Sequence, residues 1–264
     1  MSLTDHGATN GMLHIADILP DVAPDSSLID RISPSLTVTT CPHCLGAGYY
    51  KKAVPFGHPE FGALFPCVCK QAELAARRQV ALAALSNLAC FHDQTFATFK
   101  PGMPGVRRAY LRAVEYARRP EGWLALFAGY GVGKTHLAAA IANEVLGRGL
   151  QVVFAVVPDL LDHLRATFAP TSPVTYDQRF ELIRTAPLLV LDDLGTEHTT
   201  AWAREKLYQI INHRYNERLP TVFTSNLEPE EIDPRVFSRM CDPRVGSAIV
   251  RFSAADYRKR LMKP

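Results

Sequence analysis

The stretch from Leu124 to Thr135 reads L-A-L-F-A-G-Y-G-V-G-K-T and decides the fold of this chain. An apolar run typical of a buried strand leads into a glycine-rich turn, and a helix-forming stretch follows directly. Glycines in such a turn allow backbone N–H groups to converge on phosphate oxygens at the positive end of the helix dipole. Lys134 neutralises β- and γ-phosphate charge, and the hydroxyl of Thr135 is a Mg²⁺ ligand. The stretch therefore predicts a nucleotide phosphate loop.

The nucleotide-binding residues run from this turn into the helix. The pattern G-x4-G-K-[ST] requires glycine at position 128, where this chain has Ala128 followed by Gly129. The glycines nearest the phosphates are present, so the binding mechanism is retained. A glycine-rich turn without a ligand is the alternative interpretation. We assign ATP binding to Gly129, Gly131, Val132, Gly133, Lys134, Thr135 and His136.

A second apolar run, P-L-L-V-L-D-D-L, ends in two carboxylates, Asp192 and Asp193. Its lack of alternation is typical of a strand buried on both faces. Ligands of open α/β sheets bind beyond the carboxyl ends of the strands, so we expect both carboxylates beside the phosphate loop. We assign Asp192 to binding Mg²⁺ through water, and also to the ATP site, and we assign Asp193 to polarising the attacking water. A pair of solvated turn aspartates is the alternative.

Four of the six cysteines have the spacing of a metal site, in a Cys-x2-Cys pair and a Cys-x-Cys pair: Cys41, Cys44, Cys67 and Cys69. In a cytosolic chain thiols stay reduced, so this spacing favours a tetrahedral thiolate site that binds Zn²⁺. His43 or His58 as a replacement for one thiolate, and free structural or redox cysteines, are alternatives. Cys90 and Cys241 have no close partners and are expected to be buried.

The composition is that of an ordinary globular chain, with 264 residues, 47% apolar, 21% charged and a net charge of +3. No apolar run approaches a membrane span and no signal peptide is recognisable, so we expect a cytoplasmic protein without a membrane segment. Residues 68–119 carry nine Lys/Arg against three Asp/Glu. They are a candidate polyanion-facing surface or a solvated helix face. We expect a loosely ordered arm over 1–40, a zinc knuckle and connecting helix for partner binding over 41–90, and an ATPase domain over 91–264.

Repeating βα units predict an α/β fold in which helices sandwich a parallel sheet. The strands are expected at residues 123–128, 152–157, 188–192, 221–225 and near 249–252.

Three segments, in this order and spacing, resemble the DnaC/DnaI-type helicase loaders and the IstB-type transposition ATPases: F-A-G-Y-G-V-G-K-T-H-L-A-A-A-I-A, P-L-L-V-L-D-D-L-G-T-E and L-P-T-V-F-T-S-N-L. Both groups belong to the AAA+ class of P-loop NTPases. The resemblance spans about residues 91–258, and it implies five parallel strands in the order 5-1-4-3-2. It also implies an ATP-dependent, oligomer-forming protein that handles DNA. The cysteine knuckle resembles the zinc-bearing N-terminal region of some loaders.

The same resemblance implies roles for three further residues. Asn226, in T-S-N, matches the sensor-one position, where an amide hydrogen-bonds the γ-phosphate or the attacking water, and a structural turn cap is the alternative. Arg239 matches the arginine finger that acts on a neighbouring subunit, with Arg235 and Arg244 as nearby alternatives. Arg258, in A-D-Y-R, matches the sensor-two position and contacts ATP in that role.

Two functions follow from the resemblance. In a helicase loader, an ATP-bound oligomer holds single-stranded DNA and the N-terminal module grips a replicative helicase, a function that the zinc knuckle favours. In a transposition helper, a similar ATPase binds duplex DNA and recruits a transposase, and a nucleotide switch without DNA contact is a third possibility. Asp193 stands where many AAA+ proteins carry Glu, so slow Mg²⁺-dependent hydrolysis is expected, with Glu197 as a second candidate base. Tyr176 and Phe180 beside Lys/Arg are expected to stack DNA bases, with core packing as the alternative.

Overall fold

The computed structural model describes residues 41–169, 174–195, 200–257 and 259. The expected N-terminal arm over 1–40, Arg258 and Glu197 lie outside the described residues. The chain divides into two compact units, residues 1–67 and 68–264. Among the described helices, none is both long enough and apolar enough to cross a membrane.

The first unit contains a short antiparallel hairpin formed by β1 (Tyr49–Lys51) and β2 (Leu64–Pro66), in which Tyr50 pairs with Phe65. Two glycines with positive φ precede it, Gly46 at 89° and Gly48 at 74°. This left-handed backbone carries no penalty for glycine and allows the chain to turn tightly after the first cysteine pair.

The second unit is built on a five-stranded sheet in the order β4-β5-β6-β3-β7, with every neighbouring pair parallel. Counted from the first strand of this unit, that order is 2-3-4-1-5, which confirms the expected 5-1-4-3-2 arrangement. The strands are β3 (Trp123–Phe127), β4 (Val152–Val156), β5 (Leu188–Asp192), β6 (Thr221–Ser225) and β7 (Ala248–Arg251). All five residues of β3, β5 and β6 are buried, as their unalternating apolar sequences predict.

Helices cover both faces of this sheet and form two apolar cores. One core lies between the sheet and α2 and α3, and the other lies between the sheet and the helices α1, α4, α5, α6 and α7. Alternate residues of β3 divide between them, since Ala125 faces the second core and Leu124 faces the first. The helices are α1 (Val68–Leu85), α2 (Arg107–Arg118), α3 (Lys134–Gly147), α4 (Val157–Ala166), α5 (Tyr176–Arg184), α6 (Ala201–Asn216) and α7 (Pro234–Met240).

Candidate functional site

The turn between β3 and α3 has the geometry of a phosphate loop. Gly131 and Gly133 have φ values of 70° and 97°, which glycine adopts without strain. Gly133 precedes the first residue of α3, and a Cβ there would lie 2.9 Å from Cε2 of Phe99. The loop therefore needs glycine for both its backbone conformation and its packing. It leaves the positive end of the α3 dipole open to an anion.

Lys134, the first residue of α3, is only 5% exposed. Its ammonium donates to the carbonyl oxygens of Ala128 at 2.8 Å and Gly129 at 2.7 Å, and to Oδ1 of Asn226 at 2.6 Å. These three hydrogen bonds hold the ammonium against the loop and the end of β6. A phosphate oxygen that enters the loop offers this cation a stronger, charge-assisted partner.

Asp192 and Thr135 lie in direct contact, as the sequence predicted for residues that share Mg²⁺. The Thr135 hydroxyl donates to Oδ2 of Asp192 at 3.1 Å, and the Thr224 hydroxyl donates to Oδ1 at 2.6 Å. Burial raises the pKa of Asp192 above its usual value, although both hydroxyls favour the charged carboxylate. A hydroxyl and a carboxylate in direct contact are oxygen ligands of the kind Mg²⁺ prefers, so these residues fit the ion.

Asp193 follows β5 in a left-handed conformation, with φ at 63°. Its backbone N–H donates to the Thr224 hydroxyl at 3.0 Å, which fixes the turn. The amide of Asn226 donates to Oδ1 of Asp193 at 2.7 Å and accepts from Lys134 on its other side. One amide therefore connects the phosphate-binding cation to the proposed catalytic carboxylate. A structural cap of the following turn does not account for either contact.

Most of the predicted residues line one cavity of about 440 Å³, within the range of small-molecule binding sites; Gly129, Asp192 and Arg239 are not in its lining. His136 lies on its wall, where Nε2 is 2.9 Å from the carbonyl oxygen of Thr95 and 3.2 Å from the hydroxyl of Thr98. Sequence reasoning assigned the loop end of this cavity but missed the opposite lining. The available signal was the aromatic segment before α2. The missed lining residues are Phe91, Gln94, Phe99, Lys100, Met103, Val106, Tyr130 and Tyr257.

Arg239 lies on α7, and the lining of this cavity does not include it. Its guanidinium donates to Oδ1 of Asn212 at 2.7 Å and to the hydroxyl of Tyr208 at 2.7 Å. Arg235 stacks on the same ring, with its Cζ 4.1 Å from the Tyr208 centroid. Arg244 instead pairs with Asp242 at 2.7 Å. The role of Arg239 on a neighbouring subunit stays a prediction.

The four clustered cysteines meet the geometric requirement of a zinc site. Their sulfur atoms all lie within 4.8 Å of one another, and the Cys41 and Cys67 sulfurs are 3.7 Å apart. Four sulfurs at about 2.3 Å from a tetrahedral zinc are about 3.8 Å from each other, so the separation fits. The Gly48 N–H also donates to the Cys44 sulfur at 3.2 Å, which stabilises a thiolate. Zn²⁺ would be held by Cys41, Cys44, Cys67 and Cys69.

Neither His43 nor His58 replaces a cysteine in this cluster of four sulfur atoms. His58 accepts a hydrogen bond at Nδ1 from the backbone N–H of Glu60, at 3.2 Å, and His43 is exposed. The expectation that Cys90 and Cys241 are buried was wrong, because both are exposed. Both cysteines directly follow an apolar helical residue in the sequence, but their own side chains face solvent and not either of the two cores.

The sheet order, the phosphate loop and the acidic end of β5 together define a P-loop ATPase of the AAA+ class. The solved structure titled "Crystal structure of the DnaC helicase loader" supports this fold, with a TM-score of 0.54, 24% identity, and coverage of 61% of this chain and 98% of that chain. The model of the IstB-like ATP binding protein family matches residues 69–251, more than half of the chain, and the chain belongs to that family. Membership implies ATP binding and hydrolysis.

Curated relatives are named as helicase loaders. "Replicative helicase loader DnaC" of Escherichia coli (strain K12) is 30% identical over 172 residues, which cover 63% of this chain and 70% of that protein. "Replicative helicase loader DnaI" of Bacillus subtilis (strain 168) is 34% identical over 110 residues. That match covers 41% of this chain and only 34% of the relative's length.

Proposed function

We propose that this protein is an ATP-dependent replicative helicase loader that binds single-stranded DNA and a replicative helicase as an ATP-driven oligomer. The observation that carries the proposal is the similarity to E. coli DnaC over 172 residues, in a chain whose ATP site is assembled. A cytoplasmic location belongs to the same proposal, since the reduced cysteine cluster and a DNA substrate both require it. We keep the division into an arm over 1–40, a partner-binding part over 41–90 and an ATPase domain over 91–264.

We assign the chemistry of ATP hydrolysis to residues at the carboxyl ends of β3, β5 and β6. Mg²⁺, when bound by Thr135 and Asp192, neutralises charge on the transferred phosphate. Asp193 orients and polarises the attacking water, and Asn226 fixes the position of that carboxylate by its 2.7 Å hydrogen bond. Asp193 is one methylene shorter than the Glu common at this position, and one of its oxygens is already hydrogen-bonded, so turnover is slow.

The oligomer completes the site through Arg239. Its guanidinium is held at the α6–α7 surface by Tyr208 and Asn212, which pre-orders the side chain. Because Arg239 does not line the ATP cavity of its own subunit, its guanidinium is suited to contact the γ-phosphate bound by a neighbouring subunit. Arg258 remains part of the proposal as a sensor that contacts ATP.

Single-stranded DNA is proposed to bind the aromatic–cationic surface, which we define as Arg165, Phe168, Tyr176, Phe180, Arg184, Trp202 and Lys206. Phe168 is 58% exposed and stacks on Tyr176 with ring centroids 5.0 Å apart. Tyr176 in turn stacks on Phe180 at 5.3 Å, and both of these rings pack partly buried against the core. The core interpretation therefore accounts for Tyr176 and Phe180, and we transfer the base-stacking role to Phe168.

Cations border these rings, as a surface that follows a nucleic acid backbone requires. The Arg165 guanidinium lies 5.1 Å from the Trp202 centroid, and the Lys206 ammonium lies 5.4 Å from the Tyr176 centroid. Arg165 also pairs with Asp162, but that pair is exposed and therefore weak, so phosphate can replace it.

The first unit is proposed to bind the replicative helicase. It exposes large apolar side chains that its own small core leaves uncovered: Leu45 at 79%, Phe56 at 90%, Phe61 at 52% and Leu64 at 64%. Clustered exposed apolar groups of this kind mark protein-binding surfaces. Phe56 and Phe61 also contact each other edge to face, with centroids 5.4 Å apart, which presents them as one patch.

The second candidate is a transposition helper that binds duplex DNA and recruits a transposase. The name of the matching family model, IstB-like ATP binding protein, favours it. The phosphate loop, the metal residues and the arginine finger are the same in both functions. Only the DNA form and the protein partner separate them.

The test compares labelled single-stranded and duplex DNA of equal length by fluorescence anisotropy, with Mg²⁺, with and without ATP, across a salt series. A loader prefers the single strand and requires ATP, because a lone subunit makes few phosphate contacts and only the oligomer combines many. Binding by the oligomer therefore weakens steeply with salt. If duplex binds tenfold more tightly, a difference of about 1.4 kcal/mol, the transposition function replaces the loader. Flat binding of both forms leaves only a nucleotide switch.

Two matched phenylalanine variants separate the proposed surfaces in the intact chain. Phe168→Ala should weaken single-stranded DNA binding by about tenfold, since base stacking contributes 1–3 kcal/mol per base, and should leave capture by the replicative helicase unchanged. Phe56→Ala should do the opposite. If both variants behave alike in both assays, the two surfaces are assigned wrongly.

A further inference from the structure

One wall of the ATP cavity contains a glutamine whose side-chain oxygen has no hydrogen-bond partner. Among buried side-chain polar atoms of the described residues, only three are unsatisfied: Oε1 of Gln94, the hydroxyl of Tyr176 and the hydroxyl of Ser247. Of these three residues only Gln94 lines the cavity, which it shares with Lys134 and Thr135. Because a buried acceptor without a donor is unfavourable, the position favours a ligand that supplies one.

The backbone of Gln94 is fixed, whereas its amide remains available. Its carbonyl oxygen accepts from Nδ2 of Asn143 at 3.0 Å, and its N–H donates to the carbonyl oxygen of Phe91 at 3.0 Å. Asn143 lies nine residues after Lys134 on α3, so its Cα is about 13 Å further along the helix. The backbone of Gln94 is therefore anchored to the later part of α3, and its side chain lines the same cavity as the phosphate loop. The terminal amide torsion of glutamine is soft, so the oxygen can meet a donor that enters there.

The other residues around Gln94 are suited to a flat aromatic ligand. Phe91, Met103 and Val106 supply apolar and aromatic lining, whereas the charged lining groups are Lys134, Asp193 and Lys100. An apolar pocket with one orienting amide is the usual arrangement for specific recognition of a small ligand. A glutamine side chain suits the adenine edge, because its oxygen accepts a hydrogen bond from the N6 amino group.

We propose that Gln94 selects the base of the nucleotide, with Oε1 accepting a hydrogen bond from the N6 amino group of adenine. This inference rests on the proposed function, in that the cavity must bind a nucleoside triphosphate at Lys134. Gln94 thereby determines which base is bound, because the phosphate end of the site accepts any nucleoside triphosphate.

The test measures Mg²⁺-dependent binding of ATP and of purine riboside 5′-triphosphate, which lacks only the 6-amino group, to the full chain by calorimetry. The parent chain should bind ATP about tenfold more tightly, as expected for one lost hydrogen bond that leaves a buried acceptor unpaired. Gln94→Leu should lower the affinity for ATP by about the same factor and leave that for the analogue nearly unchanged, so the preference disappears. Gln209→Leu is the matched control, because Gln209 lies on α6 and bonds only Lys206 and Glu205.

The outcomes distinguish the inference from the function on which it rests. If Gln94→Leu keeps the tenfold preference, or weakens ATP and the analogue equally, Gln94 does not recognise the amino group and the inference is overturned. If the parent chain binds neither triphosphate, the proposed function itself fails. Should Gln94→Leu unfold, Gln94→Glu keeps the test decisive: its carboxylate still accepts from the amino group, so the preference for ATP should persist at lower overall affinity.

Discussion

Replacing Lys134 by Ala should abolish ATP binding at ordinary concentrations and leave the fold intact. Lys134 is 5% exposed, and its ammonium donates to three oxygen atoms 2.6 to 2.8 Å away, so it is already held where phosphate oxygens arrive. Hydrogen bonds to a charged group contribute about 1.5–3 kcal/mol each, and the lysine contacts two phosphates in the bound state. Part of this energy only replaces the hydrogen bonds that the lysine already makes in the loop. The net loss of binding free energy for ATP is therefore about 3 kcal/mol, or roughly two orders of magnitude in affinity.

Calorimetric titration with ATP and Mg²⁺ measures this loss, and the thermal midpoint without nucleotide measures the fold. Lys70→Ala is the matched control, since Lys70 lies on α1 and pairs with Glu73. It should bind ATP like the parent. Asp193→Asn should also bind ATP nearly like the parent but stop turnover, because it does not remove charge from the ground-state phosphate site. Equal ATP affinity for Lys134→Ala and the parent would refute the assignment of the loop.

Three further predictions concern the metal, the acidic strand and the subunit interface. The purified protein should contain about one zinc per chain by elemental analysis, Cys67→Ser should reduce it, and zinc removal should unfold the small N-terminal module while the ATPase domain keeps its own melting transition. Asp192→Asn should raise the thermal midpoint at neutral pH. The pKa of Asp192 in the folded state lies above its usual value, so the stability of the parent falls as pH rises from the usual pKa to the raised one. A denaturation series in which the stability difference between variant and parent does not grow across that pH window contradicts this. Arg239→Ala and Asp193→Asn chains should each be inactive in a phosphate-release assay yet regain activity when mixed, and no recovery excludes action in trans.

The sequence predicted those parts of the fold that depend on local pattern. The unalternating apolar residues of β5 and β6 indicated strands buried on both faces, and these strands are buried throughout. The glycines before Lys134 predicted the turn into α3 because few other residues adopt its backbone angles. The acidic end of β5 was placed beside this loop by a general rule for parallel sheets, and the contact between Thr135 and Asp192 confirms that placement.

What could not be predicted depends on contacts between segments that are distant in sequence. Arg214 is fully buried, and its guanidinium donates to the carbonyl oxygens of Arg184 and Ala186 and to the hydroxyl of Thr221. Burial lowers its pKa to about 9. In the sequence this residue is one more cation of a polar helix, because the carbonyls that satisfy it come from the end of α5 and the connection that follows it. The glutamine at position 94 was missed for the same reason.

The end of β5 shows how a candidate functional site can be recognised from its own energetics. Asp192 has a carboxylate whose burial raises its pKa, and Asp193 adopts a left-handed conformation that is uncommon for residues other than glycine. Each feature costs stability, and neither is needed to form the sheet. Hydrogen bonds from Thr224, Thr135 and Asn226 hold both side chains in place, so the two carboxylates cannot move to a more favourable arrangement. The site therefore combines an unfavourable buried carboxylate and backbone strain with a buried lysine. This arrangement suits a cation that binds the carboxylate together with an anion that binds the lysine, as in a nucleotide bound with magnesium.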